Sequence, residues 1–396
     1  MSFKPVTDYI YNGAEMLSDP DGVFDRLRAE GDVLWSPSMR RWLILSRTAA
    51  LEALRHKDLR VYDVFKAFDH VARLSGAPLD DLITVSDWIP FLHDGARHKQ
   101  LRNLFATVLA EIKEPYLDAY AKGSEMLLAE MQAQGGGDFA SQYADRVHVE
   151  AFGRLCGIAL VDRAWLAEAS SSEGAVDFAV SVPALIGANA RAGALLGRVD
   201  QIMSRTPNNA VLARIGHQLE AAGLPNTHET RVEFLASLTL LGRDTLSGTL
   251  TLGLAKLLDD HGGRMTSAMW PDPKAMTNEI FRLTSAVQIV NRVATKPVTI
   301  SGQTIAEGEI LMIYLPAANR DPSVFACPHQ YGEDNPAGIA FGSSRHLCVG
   351  MPMAQKSTTI SLQHLSQFSA IIAADGCSIG QGKNTRKYGK LPVLME

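Results

Sequence analysis

The chain has 396 residues, 46% of them hydrophobic and 20% charged, and a formal net charge of -5. This is globular composition with ample apolar material for a large core, and without a basic excess it argues against a nucleic-acid partner. No run approaches the roughly 18 apolar residues that span a bilayer. The opening MSFKPVTDYIYNGAEML has no basic segment leading into an apolar one, so the expectation is a cytoplasmic protein off the membrane.

In chain order, apolar residues recur at helical spacing through Gly22 to Gly31, Ala49 to Arg55, Arg97 to Met131 and Phe139 to Ile158. Strand-like stretches are few. Asp32 to Ser36 and Trp42 to Ser46 are spaced to pair as a hairpin, while Pro297 to Ile300 and Ile310 to Tyr314 flank the turn-rich Ser301 to Gly308. A mainly α fold follows, one domain over 1–396 with a small sheet-rich side region at about 32–46 and 297–314.

The segment from Thr227 to Asp260 contains no proline, has Asn226 or Thr227 to cap it, and meets Gly262-Gly263 at its end. At about 1.5 Å per residue it makes a helix near 50 Å long, enough to cross the protein's centre. Its middle, Leu240-Leu241-Gly242-Arg243-Asp244-Thr245-Leu246-Ser247-Gly248, carries two glycines, each costing about 1 kcal/mol relative to alanine. Something must compensate for a weakened helix. Asp244-Thr245 alone fits either a helix-bending threonine beside a charge or a proton relay, with the hydroxyl holding reactive oxygen and the carboxylate bringing protons. In the relay reading the glycine makes room for a small ligand.

Glu279 and Arg282 lie three apart on one helical face, a spacing that alone usually means a solvated surface pair worth about 0.3–0.5 kcal/mol. The cysteines Cys156, Cys327, Cys348 and Cys377 are too dispersed for a disulfide framework. A lone cysteine is most often a small buried hydrophobe. Cys348 differs because the loop Phe341-Gly342-Ser343-Ser344-Arg345-His346-Leu347-Cys348-Val349-Gly350 delivers it to the mouth of a helix, Met351 to Phe368. Backbone N–H groups and the helix dipole favour a thiolate there, which is how a chain offers one anionic sulfur to a metal. His346 beside Cys348 raises zinc, but no second Cys/His pair stands at ligand spacing.

Taken together, Asp244-Thr245, then Glu279 to Arg282, then Cys348, the chain resembles the cytochrome P-450 superfamily of haem-thiolate monooxygenases, in its soluble bacterial form. The loop at 341–350 resembles that family's Phe-Gly-x-Gly-x-His-x-Cys-x-Gly signature, Glu279 to Arg282 its Glu-x-x-Arg, and Leu241 to Thr245 its Ala-Gly-x-Asp/Glu-Thr. The resemblance implies the cytochrome P-450 fold, haem b with Cys348 as axial ligand to the iron, and Phe341 and Gly350 shaping the cysteine loop. It also implies that His98, Arg102, Arg292 and His346 meet the haem carboxylates. Glu279 and Arg282 would hold the loop, with Arg320 as a further partner.

Dioxygen would be the co-substrate, with Asp244 and Thr245 delivering protons. Electrons would come ultimately from NAD(P)H through a separate ferredoxin and its reductase, since the haem domain is expected to take up the chain, and Arg345 is a docking charge for such a donor. The expected substrate is a small, largely apolar molecule of secondary metabolism, met by Phe65, Phe68, Ile83, Trp88, Phe178, Leu238, Leu241, Val287, Val290 and Leu391. The expected state is a monomer. A peroxide-driven peroxygenase, or a haem protein without oxygenase activity such as a sensor or isomerase, are the alternatives. The chain departs from the family pattern at Ser344 in place of glycine, Leu241 in place of alanine and Gln355 in place of arginine, and Arg243 beside the acid is unusual. Ser344 must either avoid a positive φ or tolerate strain there.

Overall fold

The computed structural model describes residues 14–159, 163, 181–206, 209–332, 335–380 and 384–396; Phe178 lies outside them. The chain forms two compact units, one of residues up to Tyr62 with Asn278–Cys348, the other of Asp63–Thr277 with Val349–Glu396.

The first unit is built on a five-stranded sheet in the order Val33–Ser36, Arg41–Ile44, Ile310–Tyr314, Ile289–Ala294, Leu59–Val61. The hairpin expected from sequence forms, with Trp35 opposite Trp42, and its second strand runs parallel to Ile310–Tyr314. Val298–Ile300 instead pairs with Gln303–Ile305 in a separate hairpin turning through Ser301 and Gly302. The strand Ile310–Tyr314 is a continuous apolar run because both its faces are covered. Leu311 and Ile313 pack with Ile44, Ala53 and Ile300, while Met312 and Tyr314 pack with Phe24, Leu43 and Ile289.

The second unit is helical. Its long elements are Gly95–Ala133, Asp145–Leu155, Val182–Arg205, the central helix His228–Asp260, and Met351–Leu365. Thr227 caps the central helix, its Oγ1 accepting the Thr230 N–H at 3.1 Å, and Gly262 leaves it at φ 65°. That helix is buried nearly from end to end, from Val232 to Leu258. Pro183 falls in the first turn of its helix and starts the element where a proline inside would break it. A four-stranded antiparallel sheet, Gly136–Asp138, Pro392–Met395, Ala370–Ala373, Arg264–Thr266, completes the unit. Between the first of these strands and the helix Asp145–Leu155, residues Ala140–Ala144 form a π turn.

Candidate active site

The cysteine loop is a tight backbone construction. Gly342 takes φ 73°, a short 3-10 turn spans Ser344–His346, and the Cys348 N–H donates to the Phe341 carbonyl at 3.0 Å, closing the loop. Ser344 takes φ 61°, so the chain tolerates the left-handed backbone without glycine, at a cost of about 1–2 kcal/mol. Phe341 packs on Phe281 with ring centroids 4.5 Å apart. Arg345 donates to the Leu59 carbonyl and ties the loop to an edge strand, so this guanidinium has a use inside the fold. The Cys348 side chain is exposed, three residues before the helix Met351–Leu365 begins.

Glu279 and Arg282 are not a surface pair. Their side chains are 8% and 0% exposed. Arg282 meets both Glu279 oxygens, at 2.7 and 2.8 Å, and its remaining donors go to the carbonyls of Asn319, Cys327, Pro328 and Gln330. Glu279 Oε2 also accepts from the Gly332 N–H and Asn335 Nδ2. The pair thus organises the irregular segment that leads to the cysteine loop, and breaking it would leave a buried charge, at about 3–5 kcal/mol. Arg320 pairs with Asp21 at 3.0 Å and reaches the Leu283 carbonyl.

In the second unit, the central helix presents Asp244 into a group of charges. Asp244 Oδ1 accepts from Arg243 at 2.7 Å and from Lys387 Nζ at 3.2 Å, and Asp145 receives both cations as well. Arg243 and Asp244 are thus in direct contact. Thr245 is half-buried, and its carbonyl accepts the Thr249 hydroxyl at 2.9 Å. Gly242 has a reason that sequence reasoning missed. A Cβ there would lie 2.3 Å from Cε1 of His148, so the missing side chain admits an imidazole from the neighbouring helix Asp145–Leu155. Tyr116 bonds His148 Nδ1 at 2.7 Å, and burial, with Arg243 nearby, pushes this imidazole down to about 4, leaving it neutral.

Of the other sequence candidates, His98 and Arg292 are buried, at 6% and 3% exposure, while Arg102 and His346 are half-buried. Trp88 is held in the helical core, its indole N–H donating to Glu233 at 3.0 Å and its ring edge-on to Phe234. Phe68, Leu238 and Leu391 are buried too, whereas Phe65, Ile83, Leu241, Val287 and Val290 keep some exposure. His148, Asp145 and Lys387 carried no sequence signal, because nothing in their local spacing points to the central helix.

Residues 273–375 match the family model described as cytochrome P-450, a span that holds Glu279, Arg282, Arg292, Arg320 and the cysteine loop. The chain is 26% identical over 371 residues to the biotin biosynthesis cytochrome P-450 of Bacillus subtilis, covering 89% of this chain and 90% of that protein. Both matches indicate the cytochrome P-450 superfamily, bacterial type. A cytochrome P-450 140 of Mycobacterium bovis is 36% identical over 176 residues, 42% of this chain, and the match spans only 40% of that relative's own length. The crystal structure of CalO2 superposes with a TM-score of 0.84 at 18% identity, covering 99% of each chain, which extends the common fold over nearly the whole chain.

That superfamily implies a haem iron, and the side chains fit one. Among the described residues, no group of three or more His, Cys, Asp or Glu side chains stands ready to hold a bare metal ion. Cys348 stands exposed on a constrained loop, which suits an iron already held by a macrocycle. By contrast, burial pushes the Cys156 thiol up to about 12 and makes it inert. His98, Arg102, Arg292 and His346 are donors of the kind that propionate groups take. Among the described residues no helix is long and apolar enough to cross a membrane.

Proposed function

We propose that this P-450 is a haem-thiolate monooxygenase that uses dioxygen and external electrons to hydroxylate or otherwise oxidise a small, largely apolar organic molecule of secondary metabolism. The observation that carries the reading is the acid and alcohol, Asp244 and Thr245, adjacent on a buried central helix in a chain that also presents Cys348 exposed on the loop at 341–350. A peroxide-driven enzyme has no need of that pair. The biosynthetic role of the Bacillus relative supports a place in small-molecule synthesis.

In this reading Cys348 holds haem b, whose iron supplies the redox chemistry that activates dioxygen. The Cys348 N–H is committed to Phe341, and that bond fixes where the sulfur stands. The Thr245 hydroxyl would hold a proton at Oγ1, and the Asp244 carboxylate would replace it from solvent. Arg292, His98, Arg102 and His346 neutralise the haem carboxylates. Electrons come from NAD(P)H through a ferredoxin and its reductase as separate chains.

Reduced protein under carbon monoxide is expected to give the red-shifted Soret band of thiolate ligation, and Cys348→Ala to abolish it. An unaltered band in that variant overturns the assignment. Thr245→Ala is expected to divert most of the consumed electrons to hydrogen peroxide, because loss of a proton-transfer group slows the productive step by about 10²–10⁴-fold. Unchanged peroxide release would move the relay elsewhere.

A further inference from the structure

Asn319 ends the short helix Leu315–Ala318, is fully buried, and sends its side chain to the root of the cysteine loop. Its Oδ1 accepts the Ile339 N–H at 2.6 Å, and its Nδ2 donates to Ser285 Oγ at 2.7 Å. These partners settle which end of the amide is which. A backbone N–H only donates, so the atom facing Ile339 is the oxygen, and the Ser285 oxygen accepts from the nitrogen. The Ser285 hydroxyl then gives its own proton to the Arg282 carbonyl at 3.1 Å, while Arg282 Nη1 donates to the Asn319 carbonyl at 3.0 Å.

From Ile339 the order passes into the loop. The Ile339 carbonyl accepts the N–H of Gly342, whose φ of 73° turns the chain, at 2.8 Å, and the Phe341 carbonyl accepts the Cys348 N–H at 3.0 Å. Gly338 lets the amide come so close: a Cβ there would lie 2.9 Å from Asn319 Oδ1 and 3.1 Å from Cβ and Cγ of Arg282. Ile339 is 4% exposed, in the same apolar cluster as Leu315 and Ala318, so its N–H depends on Asn319 for a partner.

We propose that Asn319 is a positioning residue for the cysteine: its carboxamide, oriented by Ser285, holds Ile339 and so sets the turn that presents Cys348. The inference rests on the haem-thiolate reading of Cys348. Arg282 gathers the backbone carbonyls of this irregular segment, and the Asn319 side chain carries that order on to the loop. An amide suits the task because it offers a donor and an acceptor at fixed places on one plane and brings no charge into a buried site. Leucine at 319 would fill similar space and leave the Ile339 N–H buried without an acceptor. Aspartate would keep the acceptor.

The test is amide hydrogen exchange resolved at Ile339, Gly342 and Cys348, on the purified full chain carrying Asn319→Leu, Asn319→Asp or Ser285→Ala, with the carbon-monoxide spectrum of each. Asn319→Leu should speed exchange at Ile339 about tenfold, the scale of a buried N–H left unpaired, and speed it at Gly342 and Cys348 too. The same variant should move part of the carbon-monoxide band off the thiolate position. Asn319→Asp should keep both readouts near wild type. Ser285 bonds Asn319 and its own helix rather than the loop, yet Ser285→Ala, by freeing the amide to turn, should speed exchange at Ile339 about two- to tenfold. An asparagine that served stability alone would lower the melting temperature in Asn319→Leu with exchange at Gly342 and Cys348 and the thiolate band both unchanged, and that result overturns the proposal. So does wild-type exchange at Ile339 in Ser285→Ala, the variant that carries the test if Asn319→Leu does not fold. Failure of the haem-thiolate reading would show separately, as a wild type that lacks the thiolate band while these exchange rates are as expected.

Discussion

Gly242→Ala offers the most direct test of how the central helix is built. An added methyl would stand 2.3 Å from Cε1, 2.6 Å from Nε2 and 3.0 Å from Nδ1 of His148. The ring has little freedom to withdraw, because Tyr116 holds Nδ1 at 2.7 Å and Phe152 lies stacked behind it at 6.2 Å. Overpacking of this kind costs about 1–3 kcal/mol. Displacing the ring breaks the bond to Tyr116, whose side chain is 2% exposed, and a buried polar group left without its partner costs about 1–3 kcal/mol more. Alanine returns about 1 kcal/mol through helix propensity. The net expectation is a loss of about 3 kcal/mol, read by urea denaturation. His148→Ala removes the obstacle, so in the double variant the alanine methyl fills vacated space and the two effects should couple by about 2 kcal/mol. A neutral or stabilised Gly242→Ala, or additivity within about 0.5 kcal/mol, would refute the account.

Ser344→Gly should stabilise the protein, since relief of the left-handed backbone at φ 61° outweighs the greater chain entropy of glycine by about 0.5–1 kcal/mol. Differential scanning calorimetry should show a rise of about 1–3 °C, and a fall would mean that the serine hydroxyl contributes more than the strain costs. His148 should shape the acid limb of stability. Its imidazole refuses in the folded state a proton that the unfolded chain accepts below pH 6.5, so stability present above that value is lost as pH falls towards about 4. The loss reaches about 3 kcal/mol at that end, and His148→Phe should flatten this part of a urea-midpoint profile; an unchanged slope would contradict a buried neutral ring.

What the sequence revealed follows the range of the physics involved. The cysteine loop and the ends of the central helix were legible because local backbone demands dictate their residues: Gly342 at a positive φ, Thr227 as cap, Gly262 at the exit. Glu279 and Arg282 were visible as a spacing, but their burial was not. The carbonyls that saturate Arg282 belong to residues 319–330, an irregular stretch with no periodicity to announce it. Strands such as Leu59–Val61 and Gly136–Asp138 escaped for a similar reason, since three residues carry no pattern and are strands only by virtue of distant partners. The glycine at 242 was read as space for a ligand, and its observed neighbour His148 lies 94 residues away by position number.

Arg243 shows how such distant pairings alter the meaning of a local anomaly. Seen alone, an arginine in the buried middle of the helix is costly, because a charge taken out of water needs partners of matching geometry. Asp145 supplies a second carboxylate beside Asp244, and Lys387 then balances the acid that Asp145 adds. Each of these members answers a charge introduced by another. An apolar residue at 243 would take away one of the cations that join Asp145 to Asp244. The departure at Arg243 is therefore part of how the chain holds its acid in place, with Lys387 and Asp145 the more exposed members of the group.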